Sequence, residues 1–283
     1  MIPDTEHSRS IAPTGPVEKV ADGFAFTEGP ADDGQGGFFF TDIPKTSIHH
    51  VDENGKLTLW TDQSKHANGL MVRDGRLYAC EMDGQVVSYA VAGGDRKLIA
   101  GKYQGKRFNA CNDLDLDSKG GVYFTDPLYR APQPLPQGIQ AAYYVTSKGE
   151  VTRLTKAIPA PNGIALSPDE KRLYVAPTQQ STMLVYDVDA PGKVSGGRKF
   201  CQLTQVPGGR NQGSDGIAVD VRGNVYFTTA VGVEVVSPAG QSLAIIDFPK
   251  QPANVTFVGR DKKTMVVTAR DTVYKVPMPI AGK

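Results

Sequence analysis

Gly213-Ser214-Asp215-Gly216-Ile217-Ala218-Val219-Asp220, followed by Gly223-Asn224-Val225-Tyr226-Phe227-Thr228-Thr229, is the stretch on which the reading of this chain turns. An acidic residue and a glycine open a short apolar strand, an Asp/Gly turn follows, and an aromatic strand runs back. Alone it signals a β-hairpin. Its weight comes from recurrence, because the same pattern is written six times along the chain.

The other copies lie on either side. Phe26-Thr27-Glu28-Gly29-Pro30 leads to Phe38-Phe39-Phe40-Thr41-Asp42, and Ala67-Asn68-Gly69-Leu70 leads to Leu77-Tyr78-Ala79-Cys80. Cys111-Asn112-Asp113-Leu114 leads to Val122-Tyr123-Phe124-Thr125-Asp126, and Pro161-Asn162-Gly163-Ile164 leads to Leu173-Tyr174-Val175-Ala176. A weaker sixth copy runs from Ala253-Asn254-Val255 to Thr264-Met265-Val266-Val267-Thr268. The polar residue that opens each unit falls at 28, 68, 112, 162, 215 and 254. That spacing of about 40–50 residues is the period of a four-stranded propeller blade.

Each unit shows three strands, and a fourth fits the stretches between them, such as Lys56 to Trp60 and Arg198 to Gln202. No segment carries a helical apolar period, so the expected fold is all-β, a six-bladed β-propeller of four-stranded antiparallel blades. An open ring would leave bare strand edges. Val17 to Val20 has no partner of its own, and is therefore expected to supply the outer strand of the last blade beside Asp271 to Val276. Residues 1–16 read as a polar N-terminal tail, and 17–283 as a single domain. The Pro/Gln-rich stretch from Pro127 to Ala141 interrupts the third unit. Insertions in repeat arrays usually map to one face, often the binding face, which makes this one a candidate lid.

Composition narrows the function classes. The 31 basic and 30 acidic residues nearly cancel, which argues against nucleic acid or an anionic membrane as partner. No apolar run approaches the roughly 18 residues of a membrane helix, and the polar start lacks the core of a signal peptide. A soluble protein is expected, cytoplasmic by default, although a leader already removed would leave no trace. The three cysteines, Cys80, Cys111 and Cys201, are odd in number and form no CxxC pair, so they are expected as buried thiols rather than a disulfide framework or zinc site.

In a propeller the first strand of each blade lines the central channel, so the six opening residues converge at one mouth. Glu28, Asn68, Asn112, Asn162, Asp215 and Asn254 all carry side-chain oxygens. A calcium ion takes 6–8 oxygen ligands in flexible geometry, whereas zinc prefers the imidazoles and thiolates this set lacks. Asn and Asp also serve as ordinary turn residues before a strand; Glu28 is the member least suited to that role. Asp113, Asp115, Asp117 and Asp220 are expected in inter-strand turns or on solvated faces. Two carboxylates buried together repel and resist desolvation, and a divalent ion removes that cost while providing a Lewis acid at the mouth.

The ordered series of Thr27-Glu28-Gly29-Pro30, Ala67-Asn68-Gly69-Leu70, Arg107-Phe108-Asn109-Ala110-Cys111-Asn112-Asp113, Phe124-Thr125-Asp126-Pro127, Pro161-Asn162-Gly163-Ile164 and Ser214-Asp215-Gly216 resembles the SMP-30/gluconolactonase/LRE-like family over roughly Val17 to Val276. The resemblance implies a six-bladed propeller with one catalytic divalent ion, usually calcium, held at positions matching Glu28, Asn112, Asn162 and Asp215. It also implies Asp215 as general base. Two departures stand out. Cys80-Glu81-Met82 occupies the place where many bacterial relatives carry Cys-Glu-His, and Ala110-Cys111 replaces an Arg-Pro or Ser-Pro pair.

The expected activity is opening of a sugar lactone, a small-molecule substrate, with the chain a monomer or weak homo-oligomer. The ion polarises the carbonyl and Asp215 takes a proton from water; direct nucleophilic attack by Asp215 is the rival route. Arg107, Asn68, Tyr129 and His66 are the candidates for substrate contact. His49 and His50 fall on a third strand, away from the mouth. Tyr129 and Tyr143, flanking the insertion, fit either a pocket wall or the blade core. A phosphotriesterase at the same site is the alternative enzyme, and a non-catalytic calcium-bound docking propeller is the alternative class.

Overall fold

Short runs of β-branched and aromatic residues, punctuated by Asp/Gly turns, leave the chain no route to helix, and the computed structural model is built from strands with one 3-10 turn at Ile43–Lys45. The structure describes residues 11–209 and 212–283. Blade 1 comprises Thr27–Asp32, Phe38–Asp42, Ser47–Val51 and Leu57–Thr61, and blade 2 comprises Ala67–Arg73, Arg76–Glu81, Gln85–Ala90 and Arg96–Ala100. Blade 3 has Leu114–Leu116, Val122–Asp126, Ala141–Val145 and Val151–Arg153; blade 4 has Pro161–Leu166, Arg172–Pro177, Thr182–Ala190 and Lys193–Gln202. Blade 5 has Ile217–Val219, Val225–Thr229, Gly232–Val236 and Ser242–Ile246. Blade 6 joins Asn254–Val258, Thr264–Ala269 and Thr272–Pro277 to the N-terminal strand Glu18–Asp22, antiparallel beside Thr272–Pro277. The ring is closed by the strand expected to close it, and the inner strands of blades 1 and 6 are in contact.

The second strands are packed between neighbouring blades on both faces, so they do not alternate in burial: Phe38–Asp42, Val122–Asp126 and Val225–Thr229 are buried throughout. Outer strands are half solvated, as Leu57–Thr61 is. In blades 1, 3 and 5 a Thr of the second strand reaches across to the next blade. Thr41 Oγ1 donates to the Asn68 carbonyl (3.2 Å), Thr125 Oγ1 to that of Asn162 (2.7 Å) and Thr228 Oγ1 to that of Ala253 (2.8 Å). The Asp that follows accepts from the loop entering its own inner strand. Asp42 takes the Ala25 and Phe26 N–H groups, and Asp126 those of Asn109 and Ala110. These bonds fix the height at which each opening residue enters the channel.

All three cysteines are buried and free. Among the described residues no helix is long and apolar enough to cross a membrane. The start, read as a tail over 1–16, is anchored from Ile11, which is buried against blades 5 and 6, and Thr14 N–H donates to the Pro277 carbonyl. Residues 1–10 lie outside the described residues.

The expectation for the four extra aspartates needs correcting. Asp117 and Asp220 do cap inter-strand turns, accepting from Lys119 and Gly121 and from Arg222 and Asn224. Asp113 and Asp115 are neither turn residues nor solvated. Both are buried on the inner strand of blade 3 and line the central channel, a cavity of about 390 Å³. Being two residues apart, the two carboxylates fall on the same face of the extended chain. Lys283 Nζ reaches Asp115 Oδ2 (2.6 Å) from the far end, supplying its counter-charge.

Candidate metal and substrate site

Four of the six opening residues, Glu28, Asn68, Asn162 and Asp215, are followed by glycine, for a steric reason. A Cβ on Gly29 would lie 1.9 Å from the Asn68 carbonyl oxygen, one on Gly163 2.7 Å from that of Asp215, and one on Gly216 2.0 Å from Asn254 Oδ1. At these four positions the inner strands converge so closely that only a residue without a side chain fits behind the opening residue. The freed N–H groups then cross-link the ring: Gly69 N–H donates to the Asn112 carbonyl (2.8 Å), Gly163 to Asp215 (2.9 Å) and Gly216 to Ala253 (2.7 Å). The polar-glycine signature is thus the trace of a narrow channel neck.

Above that neck the side chains meet. Glu28 is buried at 2% exposure, and its Oε2 accepts from Gly29 N–H (2.7 Å) and Asn254 Nδ2 (2.8 Å). Asn254 Nδ2 also lies 3.4 Å from Asp113 Oδ2, so one amide spans two carboxyl groups. Asp215, partly exposed at the mouth, accepts from Asn162 Nδ2 at 2.5 Å; the same nitrogen approaches Thr178 Oγ1 at 3.1 Å. Asn112 is buried in the same ring, its N–H donating to the Thr125 carbonyl.

The electrostatics are those of buried carboxyl groups that outnumber the nearby positive charge. Burial pushes the Glu28 carboxyl well above its ordinary range, and the charges of Asp215 and Asp113 push it further. Asp215 is pushed up to about 6 by burial, against the opposing Asn162 bond and Arg270 charge. Asp113 is pushed up to about 7, again chiefly by burial. Three carboxyl groups around one mouth either bind protons or bind a cation.

The donor set fits a hard divalent ion. With Asn162 Nδ2 committed to Asp215 and Thr178, its Oδ1 is buried without a donor among the described residues. Among the described residues no three His, Cys, Asp or Glu side chains form a metal-holding group, so the set depends on amide oxygens. Glu28, Asn112, Asn162 and Asp215 together offer two carboxylates and two amides, suited to calcium and unsuited to zinc.

The other sequence candidates divide. Tyr129 comes to the site: its hydroxyl, without an explicit hydrogen bond among the described residues, is raised in pKa chiefly by burial, opposed by the nearby Thr178 and Asn162 side chains and reinforced by the charges of Asp215 and Glu28. Its ring joins Phe26 and Ala131 against a small apolar cluster of Ile43, Met82 and Ala110. Tyr143 instead stacks on Phe124 in the blade core. Asn68 is buried with its amide nitrogen 4.0 Å from Met82 Sδ. His66 sits on the rim, accepting from Arg130 Nη2 (3.0 Å) and lying 3.4 Å from Asp83, with no contact to the two site carboxylates. Arg107 turns back onto its own loop, donating to the Phe108 (2.9 Å) and Asn109 (3.1 Å) carbonyls. His49 and His50 pack on Phe40 and Phe39, away from the mouth. Asn254, named among the six opening residues but given no ligand role, and Asp113, expected in a turn or on a solvated face, both come to the site, and so does Arg270. Asn254 was visible only as the sixth copy, and Arg270 had no signal.

The chain was compared with known proteins. The family model described as SMP-30/Gluconolactonase/LRE-like region matches residues 26–271. The chain is 27% identical to a gluconolactonase of Zymomonas mobilis subsp. mobilis, over 92% of this chain and 81% of that protein. It is 28% identical to diisopropyl-fluorophosphatase of Loligo vulgaris, over 64% of this chain and 61% of that protein. A solved gluconolactonase structure from Xanthomonas campestris superposes with a TM-score of 0.86 at 25% identity, covering 95% of this chain and 94% of that one.

Proposed function

This chain belongs to the SMP-30/gluconolactonase/LRE-like family, and from that premise we propose that it is a calcium-dependent lactonase that opens a sugar lactone at the channel mouth. The observation that carries the reading is the closeness of buried Glu28 to Asp215, beside an Asn162 oxygen that no group among the described residues satisfies. Such a set is costly unless a cation binds it.

Glu28, Asn112, Asn162 and Asp215 would hold the ion, which when bound supplies a Lewis acid for the ester carbonyl. The remaining work falls to the chain. Asn162 aims Asp215 by its 2.5 Å bond, leaving the second carboxylate oxygen to accept a proton from the attacking water. Arg270 holds Asp215 toward its ionised form, the form a base requires. The unpartnered Tyr129 hydroxyl, backed by the apolar cluster, is placed to donate to a substrate oxygen. Of the remaining candidates, His66 would have to shift from Arg130, and Arg107 from its own loop, to contact the sugar hydroxyls. A lactone panel assayed with and without chelator tests the reading. Turnover that needs calcium supports it, and chelator-insensitive turnover, or none with calcium bound, overturns it.

Similarity to diisopropyl-fluorophosphatase favours a second reading, phosphotriester hydrolysis at the same site. A phosphotriester turned over faster than every lactone in the panel would select it.

A further inference from the structure

Two arginines, Arg270 and Arg130, stand near the apolar cluster beside the site. Arg270 lies in the two-residue turn between Thr264–Ala269 and Thr272–Pro277, where its φ is +60°. A bulky residue in the left-handed region is strained, and such strain persists where the surroundings impose it. Here the Arg270 carbonyl accepts from both N–H and Oγ1 of Thr27, the residue before Glu28. The turn is thereby pinned to the metal strand. Its guanidinium sits over the Phe26 ring, 5.7 Å from the centroid, and donates to Gln251 Oε1. Arg130 leaves the insertion directly after Tyr129, also at a left-handed φ of +57°, and donates to His66 Nε2.

Phe26 and Tyr129 pack on the same cluster of Ile43, Met82 and Ala110, so Arg270, over Phe26, and Arg130, next to Tyr129 and bonded to His66, belong to the surroundings of one cluster. Among the described residues neither is paired with a carboxylate. Arg96, Arg198 and Arg260 each have one. The mouth thus keeps two forked donors without a carboxylate partner, beside the half-buried rings of Phe26 and Tyr129. That arrangement suits oxyanion recognition.

We propose that the substrate is a lactone carrying an anionic group besides its ring ester, a carboxylate or a phosphate, which Arg270 and Arg130 bind at the rim. The proposal rests on the lactonase reading for its chemistry but on different residues for its selectivity.

The test compares kcat/KM for a neutral aldonolactone, a carboxylated aldarolactone and a phosphorylated aldonolactone with calcium present. The wild-type protein should favour one anionic lactone at least 10-fold over the neutral one, and which arm responds identifies the group. Arg270→Gln and Arg130→Gln should each lower the anionic-to-neutral ratio about 10- to 100-fold, the range of one charge-assisted hydrogen bond. Arg270→Gly, which relieves the left-handed strain, should lose the same selectivity with a Tm no lower than wild type. A preference for the neutral lactone, or a ratio unchanged in both Gln variants, overturns the proposal. If no lactone is opened, the lactonase reading fails by itself. The anion reading is then decided by equilibrium binding of a uronic acid glycoside against the matching neutral glycoside. Tighter uronate binding that Arg270→Gln abolishes supports it, and equal affinity overturns it.

Discussion

Asn162 donates from Nδ2 to Asp215 Oδ1 at 2.5 Å, a bond between neighbouring blades across 53 residues of chain. It does two things at once. It orients the carboxylate at the channel mouth, and it commits the amide so that Oδ1 is left for a cation. The same side chain is a candidate ligand and the aiming device for the candidate base.

Asp215→Asn keeps the size of the side chain and removes the basic oxygen. Lactone kcat should fall about 10²- to 10⁴-fold, the usual contribution of a general base. Calcium occupancy, measured in parallel by metal analysis, separates loss of base from loss of ion. A variant that binds calcium and keeps the wild-type rate would remove Asp215 from the chemistry, as base and as nucleophile.

The raised carboxyl groups set a pH dependence whose sign is unusual for acids. Asp215 titrates at about 6 in the folded chain and Glu28 is raised well above its ordinary range, whereas unfolded Asp and Glu titrate near 4. From about pH 4 upward the calcium-free folded protein holds protons the unfolded chain has released, so its stability falls as pH rises through the folded values. Calcium competes with those protons, and its affinity should rise as pH passes about 6. Thermal melts from pH 5 to 8, with and without calcium, check both statements. The gap between the two melting curves should widen with pH, and a constant gap contradicts the assignment.

Gly216→Ala would put a methyl 2.0 Å from Asn254 Oδ1. Asn254 cannot keep its 2.8 Å bond to Glu28 in that space. A loss of about 1–3 kcal/mol is expected from overpacking, at about 2–4 °C of Tm per kcal/mol for a chain somewhat shorter than this one. Calcium affinity should weaken in the same variant, because Glu28 loses its orienting amide. Calorimetry and calcium titration read the two effects separately.

Blade 2 carries a buried polar knot remote from this chemistry. The fully buried Glu81 accepts from Tyr89 hydroxyl (2.5 Å) and from Arg96 Nε (3.0 Å) and Nη2 (2.5 Å). Arg96→Met would leave that carboxylate with a single donor, at a cost of about 3 kcal/mol in chemical denaturation. The double variant Glu81→Met/Arg96→Met should be less destabilised than Arg96→Met alone, since no buried charge is left unpaired. Equal losses would show that packing, not charge, holds the knot.

Local chemistry was enough to make the architecture legible. Turn residues, aromatic second strands and a polar-glycine step recur at blade spacing, and six recurrences leave a closed ring as the arrangement that covers every edge. Closure by Glu18–Asp22 follows from the same need, and Glu28, Asn112, Asn162 and Asp215 were visible because each opens a repeat. Tertiary structure decided what the repeat does not encode. Asp113 occupies a step where four other units have glycine, and its carboxyl faces Asn254 across the channel, a meeting of residues 141 positions apart. Arg270 belongs to an ordinary-looking hairpin turn and comes beside Phe26 only when blade 6 closes on blade 1. Tyr129 and Tyr143 read alike in sequence, yet one faces the site and the other fills the core. A strand repeat fixes which face a residue occupies, whereas pairing across the ring depends on how far neighbouring inner strands converge, a distance no local pattern carries.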